Sequence, residues 1–355
     1  MSTVLVVNAG SSSVKLRLLD GADALTCHTD LAPDGDLSAL LRDWPVPDIV
    51  GHRVVHGGNR FTDPVLVDDE VRSALEELTD LAPLHQPKSL AALDAVSALL
   101  PGVPAVACFD TAFHTTIPAA ASTYAVPREW RERWAIRRYG FHGLSHSYCA
   151  WRAAELVGRP VEELRIVTCH LGAGASLAAV VGGASVDTTM GFTPLEGLVM
   201  ATRSGSVDPG LLLWLEEHEH LTPHEVATAL EHRSGLLALA GTADMREIET
   251  RSDPDAVLAR DVHTHRLVAG IAAMAAATAG LDVLAFTGGV GEHSAAVRGR
   301  AARASAFLGV TIDDDRNDAA HGDADISSAG AAVRTLVVTA REDLQVARLA
   351  RTLLR

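Results

Sequence analysis

Residues 4–20 read VLVVNAGSSSVKLRLLD, which is an apolar run, a tip of small residues and an alternating run. This pattern predicts two antiparallel strands joined by a tight turn. Gly10 allows the backbone to turn sharply, and N–H groups and serine hydroxyls at such a tip can form a nest for an anion. Lys15, one of two lysines in the chain, adds a positive charge beside it. The stretch therefore predicts a phosphate-binding hairpin, with an ordinary solvated turn as the alternative.

The same pattern returns at residues 164–183, which read LRIVTCHLGAGASLAAVVGG. An apolar strand leads into a glycine-rich tip, and a second apolar strand leads out of it. Two such hairpins in distant parts of one chain suggest two similar domains, each offering a phosphate-binding turn to a shared cleft. Chance similarity between two glycine-rich hairpins is the alternative.

The composition of the 355 residues limits the class of protein. Hydrophobic residues make up 48% and charged residues 21%, which is typical of a globular chain of two or three domains. The net charge of −15 disfavours nucleic acid and acidic membranes as partners. The four cysteines form no CxxC pair, and no leader or membrane-spanning stretch is evident. We therefore expect a cytoplasmic protein with reduced thiols.

Three polar residues stand out because each interrupts or ends an apolar stretch. Arg53 lies inside the apolar run 49–55, where a guanidinium is costly unless it is paired or binds an anion. Asp110 follows the buried strand expected at residues 103–109, a position at which α/β proteins place functional groups. His142 lies in the apolar and glycine-rich stretch YGFHG. The alternatives are an internal salt bridge for Arg53, a helix cap for Asp110 and a core histidine for His142.

Other segments predict binding loops and helices. Residues 188–198 and 201–210 are rich in hydroxyls, glycine and proline, as binding loops are. Residues 281–294 predict a buried strand with a glycine-rich end, before a helix that starts near Ala295. Residues 21–48 predict short strands or loops, and 234–246 predict a loop. Helices are expected at 68–80, from after the turn at 81–87 to about Leu100, at 147–158, 211–232 and 254–280, and at the C-terminus.

Ten stretches, taken together, resemble the acetate kinase family of acetate and propionate kinases, in the superfamily of actin, the Hsp70 ATPase domain and sugar kinases. They follow the family's order: NAGSSSVKLRLLD, GHRVVHGG, LAPLHQP, FDTAFH, RRYGFHGLSH, CHLGAGASL, GFTPLEGL, TRSGSVDPG, FTGGVGEHS and AREDL. The resemblance implies an α/β fold with two duplicated ribonuclease H-like domains around a nucleotide cleft, as in actin-like ATPases. It places residues 1–112 and 344–355 in an N-terminal domain closed by the C-terminal helix, and 113–343 in a nucleotide-binding C-terminal domain.

The resemblance also implies reversible phosphoryl transfer from ATP to acetate, giving acetyl phosphate and ADP, with Mg²⁺ or Mn²⁺ and in a homodimer. The residues that match the family's catalytic residues are Arg53, Asp110, His142 and Arg203. Those that match its metal-associated pair are Asn8 and Glu342. Those that match its substrate pocket are Arg53, Val55, Leu84, Phe141 and Pro194. Those that match its ATP-binding segments are Ser11, Ser13, Lys15, His170, Leu171, Gly172, Ala173, Gly174, Asp244, Met245, Arg246, Gly289, Val290, Gly291, Glu292 and His293.

Three functions stay open: an acetate kinase, a kinase for propionate or another short-chain acid, and a nucleotide-binding sensor without turnover. One methylene is worth about 1–3 kcal/mol, so the pocket residues do not decide between the acids. Gln86, Ala173 and His293 stand where the family usually has Asn, which bears on nucleotide affinity and the choice of phosphoryl donor. A carboxylate acceptor is ionised at neutral pH and needs no base, so we expect Asp110 to orient other groups. The absence of GxxxxGK[ST] excludes a P-loop kinase.

Overall fold

The structure is a computed structural model that describes residues 2–10, 13–32, 35, 37–79 and 86–354, without the side chains of residues 39 and 40. Of the predicted site residues, Ser11 and Leu84 lie outside this range. The chain forms two compact units. The first comprises Met1–Thr115, Phe141–Tyr148 and Arg341–Arg355, and the second Thr116–Gly140 and Cys149–Ala340. The domain limits expected from the sequence, 1–112 with 344–355 and 113–343, stay a prediction.

The first unit contains one mixed sheet. Its strands are β1 (Val4–Ala9), β2 (Val14–Leu19), β3 (Leu25–Leu31), β4 (Ile49–Val54), β5 (Val65–Leu66) and β6 (Ala105–Phe109). They lie in the order β3-β2-β1-β4-β6-β5. The strands β1, β2 and β3 pair antiparallel, β4 is parallel to β1 and β6, and β5 is antiparallel to β6. The predicted first hairpin is therefore confirmed as β1 and β2.

The second unit repeats this topology. Its strands are β7 (Arg165–Leu171), β8 (Ala175–Val181), β9 (Ala184–Thr188), β10 (Val283–Thr287), β11 (Ala324–Asp325) and β12 (Arg334–Val337). They lie in the order β9-β8-β7-β10-β12-β11, and each pairing has the same sense as its counterpart in the first sheet. Two sheets with one strand order and one pattern of directions confirm the predicted α/β fold of two duplicated ribonuclease H-like domains.

The helices surround these sheets. They are α1 (Leu37–Leu41), α2 (Asp69–Glu77), α3 (Gln86–Leu99), α4 (Ala119–Ser122), α5 (Arg128–Trp134), α6 (Gly143–Val157), α7 (Pro209–His218), α8 (Pro223–His232), α9 (Gly235–Ala240), α10 (Met245–Thr250), α11 (Pro254–Ala277), α12 (Gly288–His293), α13 (Ala295–Ala304), α14 (Asp314–Asp318) and α15 (Glu342–Thr352). Short 3-10 turns occur at Ala112–Thr116, Val161–Glu163 and Ala306–Leu308. Among the helices described, none combines the length and the apolar composition needed to cross a membrane.

Three helices of the second unit begin with the same local signal. A capping side chain accepts a hydrogen bond from the first turn, and proline occupies the first helical position, at Asp208 before α7, Thr222 before α8 and Asp253 before α11. The cap satisfies an N–H group that has no partner within the helix, and proline has no N–H group to satisfy. These positions explain why the expected helices start where they do.

Two parts of the chain are more helical than the sequence predicted. The prediction of a loop at 234–246 is wrong, because α9 and the start of α10 lie there. The glycine-rich end of β10 is itself the short helix α12, and the helix expected from Ala295 is α13. Gly288 has a φ of +77°, which turns the chain from the strand into α12 at once.

The C-terminal helix α15 packs on β1, β4 and β6 of the first unit. It reaches β4 at Gly51, where a Cβ atom would lie only 2.6 Å from Val346 Cγ1. Near the other end of the helix, Arg351 donates to the Asp20 carbonyl at 2.6 Å and pairs with Asp23 at 2.5 Å. The helix α15 therefore covers one face of the first sheet.

Candidate active site

An arginine–aspartate pair lies at the centre of the candidate site in the first unit. Arg53 is on β4, and Asp110 follows the neighbouring parallel strand β6. Arg53 donates from Nε to Asp110 Oδ1 at 3.0 Å and from Nη2 to Oδ2 at 2.5 Å. The Asp110 side chain is 2% exposed and that of Arg53 16%. The fork geometry fixes the plane of the guanidinium and leaves its Nη1 group for other partners.

Two further predicted residues join this pair. Asn8, on β1, accepts from Arg53 Nη1 at 3.0 Å and donates from Nδ2 to Glu342 Oε2 at 3.0 Å. Glu342 begins α15 and lies 3.9 Å from Arg53 Nε. Burial opposes the charge of Arg53, but the carboxylates of Asp110 and Glu342 outweigh it and raise the guanidinium's pKa. The structure therefore brings Asn8, Arg53, Asp110 and Glu342 into one hydrogen-bonded cluster.

Three further predicted residues of this unit are Val55, which directly follows β4, and Phe141 and His142, which directly precede Gly143. Phe141 is 1% exposed and Val55 5%. His142 adopts a φ of +57°, a left-handed conformation that is uncommon for a side chain larger than glycine. The next residue, Gly143, donates its N–H to the Asp110 carbonyl at 2.9 Å. The backbone at Gly143 is thus fixed against Asp110, and His142 beside it adopts a strained conformation of the kind found at functional sites.

The predicted phosphate turn of the first unit is partly described. Gly10 donates its N–H to the Ser13 carbonyl at 2.8 Å, which closes the turn between β1 and β2. Lys15 is exposed on β2 and lies opposite Asn8 in the strand register. A lysine next to the Asn8–Arg53 cluster adds positive charge where a phosphate tail would be expected.

In the second unit, two of the three predicted nucleotide segments are adjacent. Residues 170–174 form the end of β7 and the tip after it, and α12 (Gly288–His293) packs against β7. A Cβ atom at Gly288 would lie 2.8 Å from the Leu171 carbonyl, so the close approach requires glycine there. Ala173, Gly289 and His293 are exposed at this junction, and Gly291 is buried. Their adjacency after the parallel strands β7 and β10 is typical of a ligand site.

The third segment is organised locally. Asp244 caps α10 by accepting from the Arg246 N–H at 2.9 Å, and the two side chains pair at 2.6 Å. The hydrogen bonds from Arg246 lower the pKa of Asp244. Met245 is buried. The side chains of Asp244 and Arg246 pair with each other, and among the described residues no hydrogen bond or ion pair links them to the other two segments.

Arg203 is partly buried and has neutral partners. Its Nη1 donates to the Pro194 carbonyl at 3.3 Å and lies 3.9 Å from Met200 Sδ. Within the described part of the chain, no carboxylate forms an ion pair with it. Burial lowers the pKa of Arg203, and the charge of Glu231 opposes this. Because an arginine stays protonated in proteins, this guanidinium is well suited to bind an anion.

Sequence reasoning missed a second buried arginine. Arg298, on α13, is 1% exposed and donates to the carbonyls of Gly291 at 3.0 Å and Glu292 at 2.7 Å. It also donates to the Asn317 side chain at 2.8 Å, and Asn317 in turn donates to the Ala295 carbonyl at 2.9 Å. Arg298 therefore fixes the backbone of the predicted nucleotide segment from behind. The only signal in the sequence is a charged residue in the alanine-rich helix that follows FTGGVGEHS.

The oxygen donors near Arg53 fit a divalent cation. In the described ranges, no group of three or more His, Cys, Asp or Glu side chains is close enough to hold a metal by itself. Mg²⁺ usually takes only one or two protein carboxylates and completes its shell with water and substrate phosphates. Asn8 and Glu342 supply an amide and a carboxylate, and the cluster has two carboxylates for one guanidinium. The donor set therefore suits Mg²⁺, and Mn²⁺ accepts the same ligands.

The two duplicated domains have an α/β fold of the ribonuclease H-like type, and comparison with known proteins gives the family. The model of the acetokinase family matches residues 43–348. The chain is 51% identical over 314 residues to an acetate kinase of Gloeobacter violaceus, which covers 87% of this chain and 77% of that protein. The structure of Porphyromonas gingivalis acetate kinase superposes with a TM-score of 0.91 at 36% identity over 100% of both chains. A propionate kinase of Francisella tularensis gives a TM-score of 0.91 at 33% identity over 99% of this chain and 100% of that one. The chain belongs to the acetokinase family, whose members are kinases that use ATP.

Proposed function

We propose that the protein is an acetate kinase, which transfers the γ-phosphoryl group of ATP to acetate and forms acetyl phosphate and ADP. The observation that carries the proposal is the buried Arg53–Asp110 pair with Asn8 and Glu342 beside it. This arrangement holds a guanidinium in a fixed orientation next to donors for a metal. Phosphoryl transfer needs positioning and charge stabilisation far more than covalent help from the protein.

The reaction we propose is a direct in-line transfer. An acetate oxygen attacks the γ-phosphorus, the bond from that phosphorus to the β–γ bridging oxygen breaks, and its electron pair stays on ADP. No proton moves, because the acceptor is already a carboxylate at neutral pH. In this reading, Asp110 orients Arg53 and does not accept a proton. Arg53 binds the acetate or the transferring group, and reversal of the same steps gives ATP from acetyl phosphate.

Mg²⁺, when bound, neutralises charge on the nucleotide phosphates. We assign its protein ligands as Asn8 and Glu342, in keeping with the oxygen donors described above. Lys15 lies opposite Asn8 in the β1–β2 hairpin and Ser13 lies in its turn, and both are assigned to the phosphate tail. Ser11 is assigned to the phosphate tail on the resemblance alone.

The remaining roles follow the family resemblance and the local geometry of each unit. Arg203 and His142 are assigned to the charge that develops on the equatorial oxygens of the transferring group. Residues 170–174 and 289–293, which are adjacent in the second unit, are assigned to ATP together with Asp244, Met245 and Arg246. The acetate methyl group is assigned to Val55, Phe141, Pro194 and Leu84.

A kinase for propionate is the second candidate, because the Francisella structure with a TM-score of 0.91 is called a propionate kinase. The apolar groups assigned to the acetate methyl do not discriminate strongly, since one methylene is worth about 1–3 kcal/mol. A nucleotide-binding sensor without turnover is the third. The intact Arg53–Asp110 cluster favours an enzyme over a sensor, because binding nucleotide alone does not require it.

The test measures acyl phosphate made from ATP and Mg²⁺, trapped as the hydroxamate, with formate, acetate, propionate and butyrate as acceptors. Arg203→Ala and Asp110→Ala are assayed beside the unaltered protein. Asp282→Asn is the matched control, because Asp282 pairs with Arg165 at the opposite, N-terminal ends of β7 and β10. Loss of one group that stabilises the transferring phosphoryl costs about 3 kcal/mol, or about a hundredfold in rate.

Turnover that is highest with acetate and falls in both site variants, but not in the control, supports the proposal. Turnover that is highest with propionate keeps the mechanism and changes the substrate. ATP binding without turnover on any acid contradicts the proposal and favours the sensor.

A further inference from the structure

The carboxylate of Glu196, in the second unit, fixes a loop and has no role in the mechanism proposed above. Glu196 lies in the stretch GFTPLEGL and accepts from Arg138 Nη2 at 2.8 Å through Oε1. Its Oε2 accepts a short hydrogen bond from the Tyr124 hydroxyl. The Arg138 guanidinium also lies over the Tyr124 ring, 5.5 Å from its centroid. We call these three residues the Glu196 clamp.

The Glu196 clamp fixes the backbone on both sides of residue 191. The Tyr124 hydroxyl accepts the Phe192 N–H at 3.0 Å. Arg138 Nη1 donates to three successive carbonyls, those of residues 188, 189 and 190, at 3.1, 3.2 and 2.9 Å. Burial, and next the hydrogen bond to Glu196, raise the pKa of Tyr124, so the hydroxyl keeps its proton and donates to Glu196. A side chain at Gly191 would collide with both Glu196 and Tyr124, which leaves the loop no room to shift inward.

The loop held in this way contacts Arg203. Pro194 lies between Phe192 and Glu196, and its carbonyl accepts from Arg203 Nη1 at 3.3 Å. The end of the loop is joined to the turn that follows Arg203, because Gly197 and Ser206 exchange two hydrogen bonds of 3.1 and 3.0 Å. Since no carboxylate of the described chain forms an ion pair with Arg203, the Pro194 carbonyl is the oxygen that defines the direction of its guanidinium.

We propose that Glu196, held by Tyr124 and Arg138, is a positioning residue that orients Arg203 for phosphoryl transfer by fixing the loop that carries Pro194. Glu196 touches neither substrate nor metal in this scheme and acts only through the loop. The inference rests on the proposed kinase function. It adds a specificity role, because the same loop carries Pro194, which we assign to the acyl pocket.

The experiment compares Glu196→Gln and Tyr124→Phe with the unaltered protein and with Asp282→Asn, another variant of an arginine–carboxylate pair in the same unit. Glutamine keeps the shape of the side chain and removes its charge, and phenylalanine keeps the ring and removes the hydroxyl. For both clamp variants we expect kcat to fall about tenfold or more, because a misdirected donor no longer meets the developing charge. We expect the KM for ATP to stay unchanged and the ratio of kcat/KM for acetate and propionate to shift.

A second readout does not depend on turnover. Phenylglyoxal modifies arginine side chains, and peptide mass mapping gives the rate at Arg203 separately from the other arginines. If the clamp holds Arg203 through Pro194, that rate rises in Tyr124→Phe and Glu196→Gln and is unchanged in Asp282→Asn.

The outcomes separate the inference from the function on which it rests. No turnover by the unaltered protein would contradict the kinase, while a faster Arg203 modification in the variants would still support the clamp. Normal kcat and an unchanged modification rate in both clamp variants would overturn the inference. A loss of kcat that equals the loss in Asp282→Asn, with no change in the acetate-to-propionate ratio, would also overturn it, because a general loss of stability would then explain the result.

Discussion

Replacing Asp110 with alanine removes the closest counter-charge of Arg53, and the contacts around the pair set the size of the effect. Breaking a buried ion pair from one side costs about 3–5 kcal/mol, because the remaining charge stays out of water. Arg53 keeps Asn8 at 3.0 Å and has Glu342 at 3.9 Å, and its side chain is 16% exposed. We therefore expect Asp110→Ala to lower the free energy of unfolding by about 3 kcal/mol, the lower end of this range. For a domain of about 150 residues, close to the size of the first unit, this corresponds to a fall in Tm of about 6–12 °C.

The double variant Arg53→Met/Asp110→Leu separates the stability of the pair from its chemistry. Exchanging a buried ion pair for apolar side chains of similar volume is often neutral or stabilising, because no charge is left unpaired. We expect the double variant to regain most of the Tm lost in Asp110→Ala and to make no acyl phosphate. Scanning calorimetry gives Tm, and the hydroxamate assay gives activity.

Three results would contradict these expectations. An unchanged Tm for Asp110→Ala would mean that the Arg53 charge does not depend on Asp110 for compensation. A double variant as unstable as Asp110→Ala would mean that lost packing, and not an unpaired charge, causes the loss. Activity in the double variant would remove both residues from the proposed mechanism.

Three further predictions concern other positions. Burial lowers the pKa of His52 from 6.5 to about 4, so the unfolded chain binds a proton at this residue more readily than the folded chain does. The contribution of His52 to the free energy of unfolding is therefore retained above about pH 6.5. It falls by about 3 kcal/mol as the pH drops toward 4. Urea unfolding at both ends of that range should show a smaller loss for His52→Gln. Gly205→Ala should reduce kcat far more than Gly330→Ala, since both have a positive φ but only the first would place a Cβ against backbone carbonyls. Arg298→Met should raise the KM for ATP more than it lowers kcat, because it releases the carbonyls of 291 and 292.

Each of these has a clear contrary result. The same pH dependence in His52→Gln as in the unaltered protein would exclude His52 as the titrating group. Equal activities for the two glycine variants would mean that the turn after Arg203 tolerates a side chain. An unchanged KM for ATP in Arg298→Met would separate Arg298 from nucleotide binding.

The sequence predicted the elements whose signal is local. The two hairpins, the strand before Asp110 and the helices that start at a cap and a proline depend on neighbouring residues, and the structure has them. The resemblance to the acetate kinase family predicted the fold, and the two sheets of the structure confirm it. The short helices α9 and α12 were missed because glycine usually marks a loop, whereas Gly235 and Gly288 begin these helices with a positive φ.

The connections between distant side chains could be predicted only in part. The resemblance paired Asn8 with Glu342, and the structure joins them through one hydrogen bond. Nothing local in the sequence pairs Glu196 with Tyr124 or Arg298 with Asn317, since these partners come together only when separate elements pack. A buried arginine is visible in a sequence when it interrupts an apolar run, as Arg53 does. Arg298 is hard to single out, because its alanine-rich helix contains two other arginines.

The position of α15 has a consequence for how the chain is made. A ribosome synthesises β1, β4 and β6 long before it synthesises Glu342–Thr352, the helix that covers them and bears on Gly51. Until α15 has been synthesised, the apolar face that Val346 and its neighbours later bury has no cover from this helix. The second unit has all its strands by residue 337 and can form first. A chain without Glu342–Thr352 therefore leaves the sheet that carries Arg53 uncovered on this face, and Asn8 without its hydrogen bond to Glu342.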